Sequence, residues 1–203
     1  MTGLPVTPSM TRAPDGRESV HAETVEEWHS WLLANHARRE GVWLVQWKPR
    51  TGKPAIPYEK AIEEALCFGW VDSTYRSLDD ERGMLRYSPR RKGSLWARSN
   101  KERVARLEAQ GRMTDAGRAA IARARADGSW TILESVEDLV VPSDLAAALD
   151  ARPGARAKWE AFPSTAKRAY LLWITTAKRE ETRARRIIGS ADLIAQGKRL
   201  EER

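Results

Sequence analysis

The chain has 203 residues, enough for one large domain or two small ones that bury roughly 70% of the unfolded surface. It carries 35 Lys and Arg against 28 Asp and Glu, for a net charge of +7, with a single cysteine, Cys67, and three histidines. These counts exclude an intramolecular disulfide, and no stretch approaches the roughly 18 to 20 apolar residues of a membrane helix, so membrane insertion is not expected.

Residues 1–20 have no apolar core of the signal-peptide kind and are expected to form a disordered tail, which makes the cytoplasm the expected compartment. Thr24-Val25-Glu26-Glu27 is a capping box: the Thr24 oxygen can accept from an early helix N–H while Glu27 reaches back to the cap. The helix it opens places Trp28, Trp31 and Leu32 on one face and ends near Asn35. Val42–Trp47 reads as a strand with apolar residues on both faces, which predicts a central position in a sheet. Tyr58, Ala61, Ile62, Ala65 and Leu66 recur at the spacing of a core-facing helix, and Gly69 stands where a left-handed cap belongs. Val71–Leu78 and Met84–Ser88 have strand character, with Asp79–Gly83 as the hairpin loop between them.

Ser99 to Glu102 forms a second capping box ahead of a helix that ends at Gly111, and Thr114 caps another that runs through Ala120, Ile121 and Ala124. Over 129–142 helical periodicity lapses and acids collect, which places a linker there. The remainder reads as helical. Ser143 caps Leu145–Leu149, Pro153-Gly154 breaks the run, and a short helix carries Trp159. A longer helix from Ser164 shows Ala166, Tyr170, Trp173, Ile174 and Ala177 on one face, and Ile187, Ala191 and Ile194 continue the stripe. The fold class is α+β: helices packed on a small, mainly antiparallel sheet over 21–128, followed by a C-terminal helical module over 143–203.

Charge is spread unevenly. Residues 1–81 hold nine Lys and Arg against thirteen acids, 82–125 thirteen against three, 126–150 none against six, and 151–203 thirteen against six. Two basic blocks around an acidic joint favour an anionic partner, although Arg-rich helices that solvate their outer faces give the same count.

Two segments concentrate groups able to do chemistry. In Gly69-Trp70-Val71-Asp72-Ser73, Asp72 can act as a ligand or base beside a stacking Trp70, or the glycine caps, the indole anchors the core and the carboxylate bonds a turn. In Ser88-Pro89-Arg90-Arg91-Lys92-Gly93-Ser94-Leu95-Trp96, adjacent cations beside a hydroxyl and an indole can clamp an anion, with Asn100 and Lys101 at the start of the next helix. Alternatively, Arg90 pairs with Asp72 to pin the hairpin. The candidate ligand-binding set is therefore Trp70, Asp72, Arg90, Arg91, Ser94, Trp96, Asn100 and Lys101. His21, His29 and His36 show no metal-ligand spacing, and the nucleophile-elbow, dinucleotide and P-loop patterns are missing, so no metal and no cofactor is expected and no catalytic residue is identified. Cys67, beside Phe68, fits a small buried hydrophobe.

Cys67 to Ser73, Ser88 to Arg91 with Ser94-Leu95-Trp96, and Ala177-Lys178 with Glu181-Thr182-Arg183 resemble the motifs of the YdeI/OmpD-associated, or bacteriocin-protection, family of bacteria. The resemblance runs from Trp28 to Arg186. It departs from the family pattern at Glu180, where a proline is usual, which leaves either two helices or one bent helix across that point. The resemblance implies a cytoplasmic protein linked to envelope stress, bacteriocin protection or an outer-membrane porin phenotype. Three functions are compatible with it. The first is a non-enzymatic stress or bacteriocin-protection protein whose basic patch engages an anionic ligand or protein partner. The second is weak, salt-sensitive nucleic-acid binding, and the third an enzyme acting on a small anionic substrate at an Asp72/Arg90 cleft.

Overall fold

The computed structural model describes residue 8 and residues 10–200, which fall into two units. One comprises the chain up to Ser94 with Ser99–Ser129, the other Leu95–Arg98 with the chain from Trp130. The first unit is α+β. Its strands, among the described residues, are β1 (Met10–Arg12), β2 (Glu18–His21), β3 (Val42–Trp47), β4 (Trp70–Ser77) and β5 (Arg82–Pro89), in the order β1-β2-β3-β5-β4.

The sheet is mixed. β1–β2, β3–β5 and β4–β5 pair antiparallel, but β2 and β3 are parallel because α1 (Val25–Asn35) lies between them and returns the chain to the same end. The central position expected of β3 holds. Residues 10–12 and 18–20, expected in a disordered tail, are instead strand: Val20 is buried, and Thr11 Oγ1 and Ser19 Oγ lie 2.8 Å apart. Residues 1–7 and 9 of that tail lie outside the described residues.

The capping box forms as expected. Glu27 N–H donates to Thr24 Oγ1 (3.2 Å) and Thr24 N–H to the Glu27 carboxylate (3.3 Å). Helical spacing then stacks Trp28 on Trp31 (centroids 5.3 Å) and sets Trp31 edge-on to Trp70 (5.7 Å), while Trp28 meets Tyr87 at 5.1 Å. α2 (Tyr58–Cys67) packs beside α1 and β4, with every residue from Ala61 to Cys67 buried. Tyr58, expected on its core face, is exposed; its phenol turns to Asp72 instead. Gly69 has φ +75°, and a Cβ there would lie 2.9 Å from the Ala120 Cβ of α4 (Asp115–Ala126), so both the cap and the close approach require glycine.

α3 spans Arg98–Ala109, which puts Ser99 inside the helix and not at its cap. Thr114 does cap α4, accepting from Gly117 N–H at 3.3 Å. Residues 130–142, expected as a linker, belong to the second unit: they include α5 (Glu134–Glu137), and Val136 enters that unit's core.

The second unit is helical, with α6 (Ser143–Asp150), α7 (Ala155–Ala161), α8 (Ser164–Thr175) and α9 (Glu180–Ala195). Leu145, Leu149, Trp159, Tyr170, Leu171, Ile174, Ile187, Ala191 and Ile194 close its core. Ser143 and Ser164 are first helical residues, not caps; Pro142 and Pro163 precede them with extended backbone. Without a proline at 180 the chain still breaks: Arg179 is extended (φ −114°, ψ 140°), so two helices cross this region.

Candidate functional site

The antiparallel register of β4 and β5 sets Trp70 opposite Pro89, Val71 opposite Ser88 and Asp72 opposite Tyr87, bringing the ends of both sequence motifs together. Arg90 follows directly, its N–H bonded to Gly69 O at 2.9 Å. Its side chain is only 6% exposed. Burial, opposed by the charge of Asp72, lowers its pKa to about 10. Tyr58 Oη donates to Asp72 Oδ2 at 3.1 Å. Tyr87 Oη, buried with no hydrogen-bond partner among the described residues, belongs to a phenol whose pKa is raised by burial and then by Asp72.

Trp70 is fully buried and donates its Nε1–H to His36 O at 3.1 Å, which makes it a core anchor. Arg91 and Ser94 close a local turn: Arg91 N–H donates to Ser94 Oγ (2.9 Å) and Ser94 N–H to Arg91 O (3.0 Å). The Arg91 side chain is exposed, and Gly93 N–H is tied to Asp127 Oδ2 at 2.9 Å. Asn100 Oδ1 accepts from Arg103 Nη1 at 3.0 Å, and Lys101 is half-buried. Trp96 falls in the second unit, against Trp130 at 4.9 Å.

The sequence reading missed Tyr58 and Arg103. Arg103 forks onto Glu59 (2.7 and 2.8 Å), and Asp72 adds to the electrostatic field that raises its pKa. Their signal lay in the i, i+1 pair Tyr58-Glu59 at the start of α2, opposite the cations of α3. Glu63 and Glu64 were missed as well. Both are buried on α2, where Glu63 meets Arg106 (2.7 Å), Lys60 (3.0 Å) and Arg112 (3.2 Å), and Glu64 meets Arg112 and His29 (2.8 Å to the latter).

A carboxylate beside a phenol, with a buried guanidinium next in line, provides hydrogen bonding and charge recognition. Burial raises the Cys67 thiol to about 12, so at neutral pH it is a protonated, enclosed group. Among the described residues no three His, Cys, Asp or Glu are grouped so as to hold a metal ion, and no helix is long and apolar enough to cross a membrane.

The chain therefore joins an α+β unit, with Tyr58, Asp72 and Arg90 gathered at the Trp70–Pro89 end of its β4–β5 hairpin, to a helical unit. Residues 138–197, most of the helical one, match the family model described as Bacteriocin-protection, YdeI or OmpD-Associated, the family whose motifs the sequence resembles. Residues 20–120 match a second model, described as Domain of unknown function (DUF8412). The motifs around Gly69 and Arg90 fall in that second stretch, whereas Ala177 to Arg183 falls in the first. No curated protein and no solved structure matches the chain.

Proposed function

We propose that this is a non-enzymatic protein of the bacteriocin-protection type that acts in the cytoplasm by holding an anionic ligand or protein partner on the cationic surface of its first unit. The observation that carries the reading is the use made of the 82–125 block. Arg103, Arg106, Arg112 and Arg118 are held in ion pairs with acids of the same unit, while Arg91, Lys92 and Arg123 stay exposed. The family match at 138–197 supports the protective role. The closed Cys67 and the packing role of Trp70 support binding over catalysis.

The test is expression of the full chain in a bacteriocin-sensitive strain. Survival above the vector control is expected, with loss of protection in an Arg91→Glu/Lys92→Glu variant that melts normally. Protection that withstands this charge reversal, or none at all, overturns the reading. Cation-driven binding to nucleic acid predicts a steep fall in affinity with salt, since each neutralised phosphate releases counterions.

A further inference from the structure

Arg86 and Tyr87 are consecutive on β5 and so face opposite sides of the sheet. Tyr87 points into the core with Trp28; Arg86 lies on the other side, 5.7 Å from the Trp43 ring. On that side is an open groove of about 420 Å³, lined by Arg12, Arg17, Arg38, Arg86, Glu18 and Glu40. None of these belongs to the Asp72–Arg90 neighbourhood.

The charges do not balance. Arg38 is paired with Glu18, and Glu40 supplies the second acid, so four guanidinium groups face two carboxylates. Asp15 adds nothing to the balance, being shared between Arg17 (3.8 Å) and a fifth cation, Arg76 (3.6 Å). Arg86 is the group left over. Among the described residues no acid bonds its side chain, and its Nη1 is shut off from water with no hydrogen-bond partner. Burial and then the charge of Arg17 lower its pKa, Asp15 opposes them, and Arg38 adds the smallest lowering. Gly41, which also lines the groove, leaves space for this fork: a Cβ there would lie 3.0 Å from Arg86 Nη2 and 2.3 Å from Tyr87 O. Arg86 as a whole is only half-buried, so an oxyanion in the groove reaches the guanidinium on its open side and supplies the negative charge it lacks.

We propose that this groove is a binding site for a phosphate monoester group, with Arg86 as its floor and Arg12 and Arg17 at its rim. The excess of two positive charges matches a dianionic phosphate; a carboxylate would compensate only half of it. Guanidinium forks also suit the paired oxygens of phosphate. The same chemistry is offered by a free phosphate compound and by a phosphomonoester lipid headgroup.

The experiment is calorimetric titration of the full chain with inorganic phosphate and, at matched ionic strength, with acetate. Vesicles of phosphatidylcholine with and without phosphatidic acid form a second arm. One saturable phosphate site is expected, with acetate about tenfold weaker or worse. Arg86→Gln should weaken phosphate about tenfold. Arg17→Ala, at an exposed side chain that does not endanger folding, should weaken it severalfold, and Arg185→Ala should leave it unchanged. Binding to phosphatidic acid vesicles that is lost in Arg17→Ala assigns the site to a headgroup, and phosphate binding without vesicle binding assigns it to a free compound. No phosphate binding, equal affinity for acetate, or equal losses in Arg17→Ala and Arg185→Ala would overturn the proposal. Arg91→Glu, which bears on the protective reading, leaves this affinity unchanged, so the two can fail separately.

Discussion

The two units build their interiors from different materials. The first buries Trp28, Trp31, Trp43 and Trp70 together with two carboxylates, Glu63 and Glu64, and most of these polar atoms have a named partner. Trp28 Nε1–H donates to Ala61 O (3.1 Å), Trp43 to Asp15 (3.1 Å) and Trp70 to His36 O (3.1 Å). The second closes mainly on Leu, Ile and Ala around Trp159 and Tyr170, and its ion pairs, such as Asp144 with Arg183 and Asp150 with Arg156, lie at the surface. Directional contacts fix most of these groups in the first unit, so single changes and pH act strongly there. Burial without direction in the second tolerates exchange of shape.

The largest expected effect is Trp70→Ala, which removes a fully buried indole and leaves His36 O without its donor. It should cost about 3 to 5 kcal/mol, read from urea unfolding of the full chain. Trp70→Phe keeps most of the packing and should cost about 1 to 2 kcal/mol. Similar costs for the two would show that the hydrogen bond, not the volume, governs this position.

Next comes the charge buried on α2. Burial pushes the Glu63 carboxyl upward, and the hydrogen bonds from Arg106, Lys60 and Arg112 outweigh it, bringing its pKa down to about 2. A carboxyl lowered on folding adds stability above its unfolded pKa of about 4.3, and that stability is lost as pH falls toward 2. The first unit should therefore weaken between pH 4.5 and 2, and Glu63→Gln should flatten this acid limb while costing about 3 kcal/mol at pH 7. An unchanged acid limb in Glu63→Gln would remove the contrast between the units.

What was legible in the sequence follows the same division. The Thr24 capping box, the Gly69 cap and the α9 stripe are local patterns, and they formed as read, whereas in α8 Leu171 is buried, Trp173 is only half-buried and Ala177 lies past the helix end. Glu63 and Glu64 were passed over because their arginine partners lie 43 to 49 residues away, on α3 and just beyond it. β1 and β2 gave no signal, being three and four residues long. For the candidate site, Trp70, Asp72 and Arg90 were located through the hairpin register. Tyr58 escaped because its spacing imitates a core position, and Trp96 was joined to the set because the chain's passage between units at 94 and 99 leaves no mark in composition.

In the second unit Leu149→Met, a near-isovolumetric change at a fully buried site, should cost under about 1.5 kcal/mol. A larger loss would show a core as shape-specific as that of the first unit.

The smallest effect belongs to Arg183. Its guanidinium forks onto Asp144 with both bonds at 3.0 Å, joining the start of α9 to the start of α6, which makes it look like a clasp. Both side chains remain solvated, at 32% and 44% exposure. An exposed pair gains little from attraction in water, loses rotamer freedom on both sides and is screened by salt. Arg183→Ala should therefore cost under about 1 kcal/mol, and the loss should shrink further in 0.5 M salt. The double change Arg183→Ala/Asp144→Ala isolates the pair itself: a coupling below about 0.5 kcal/mol fits a surface contact. A coupling well above that, insensitive to salt, would mean that the forked geometry makes this pair a structural clasp after all. The contrast between a directional first unit and a non-directional second one would then fail at this point.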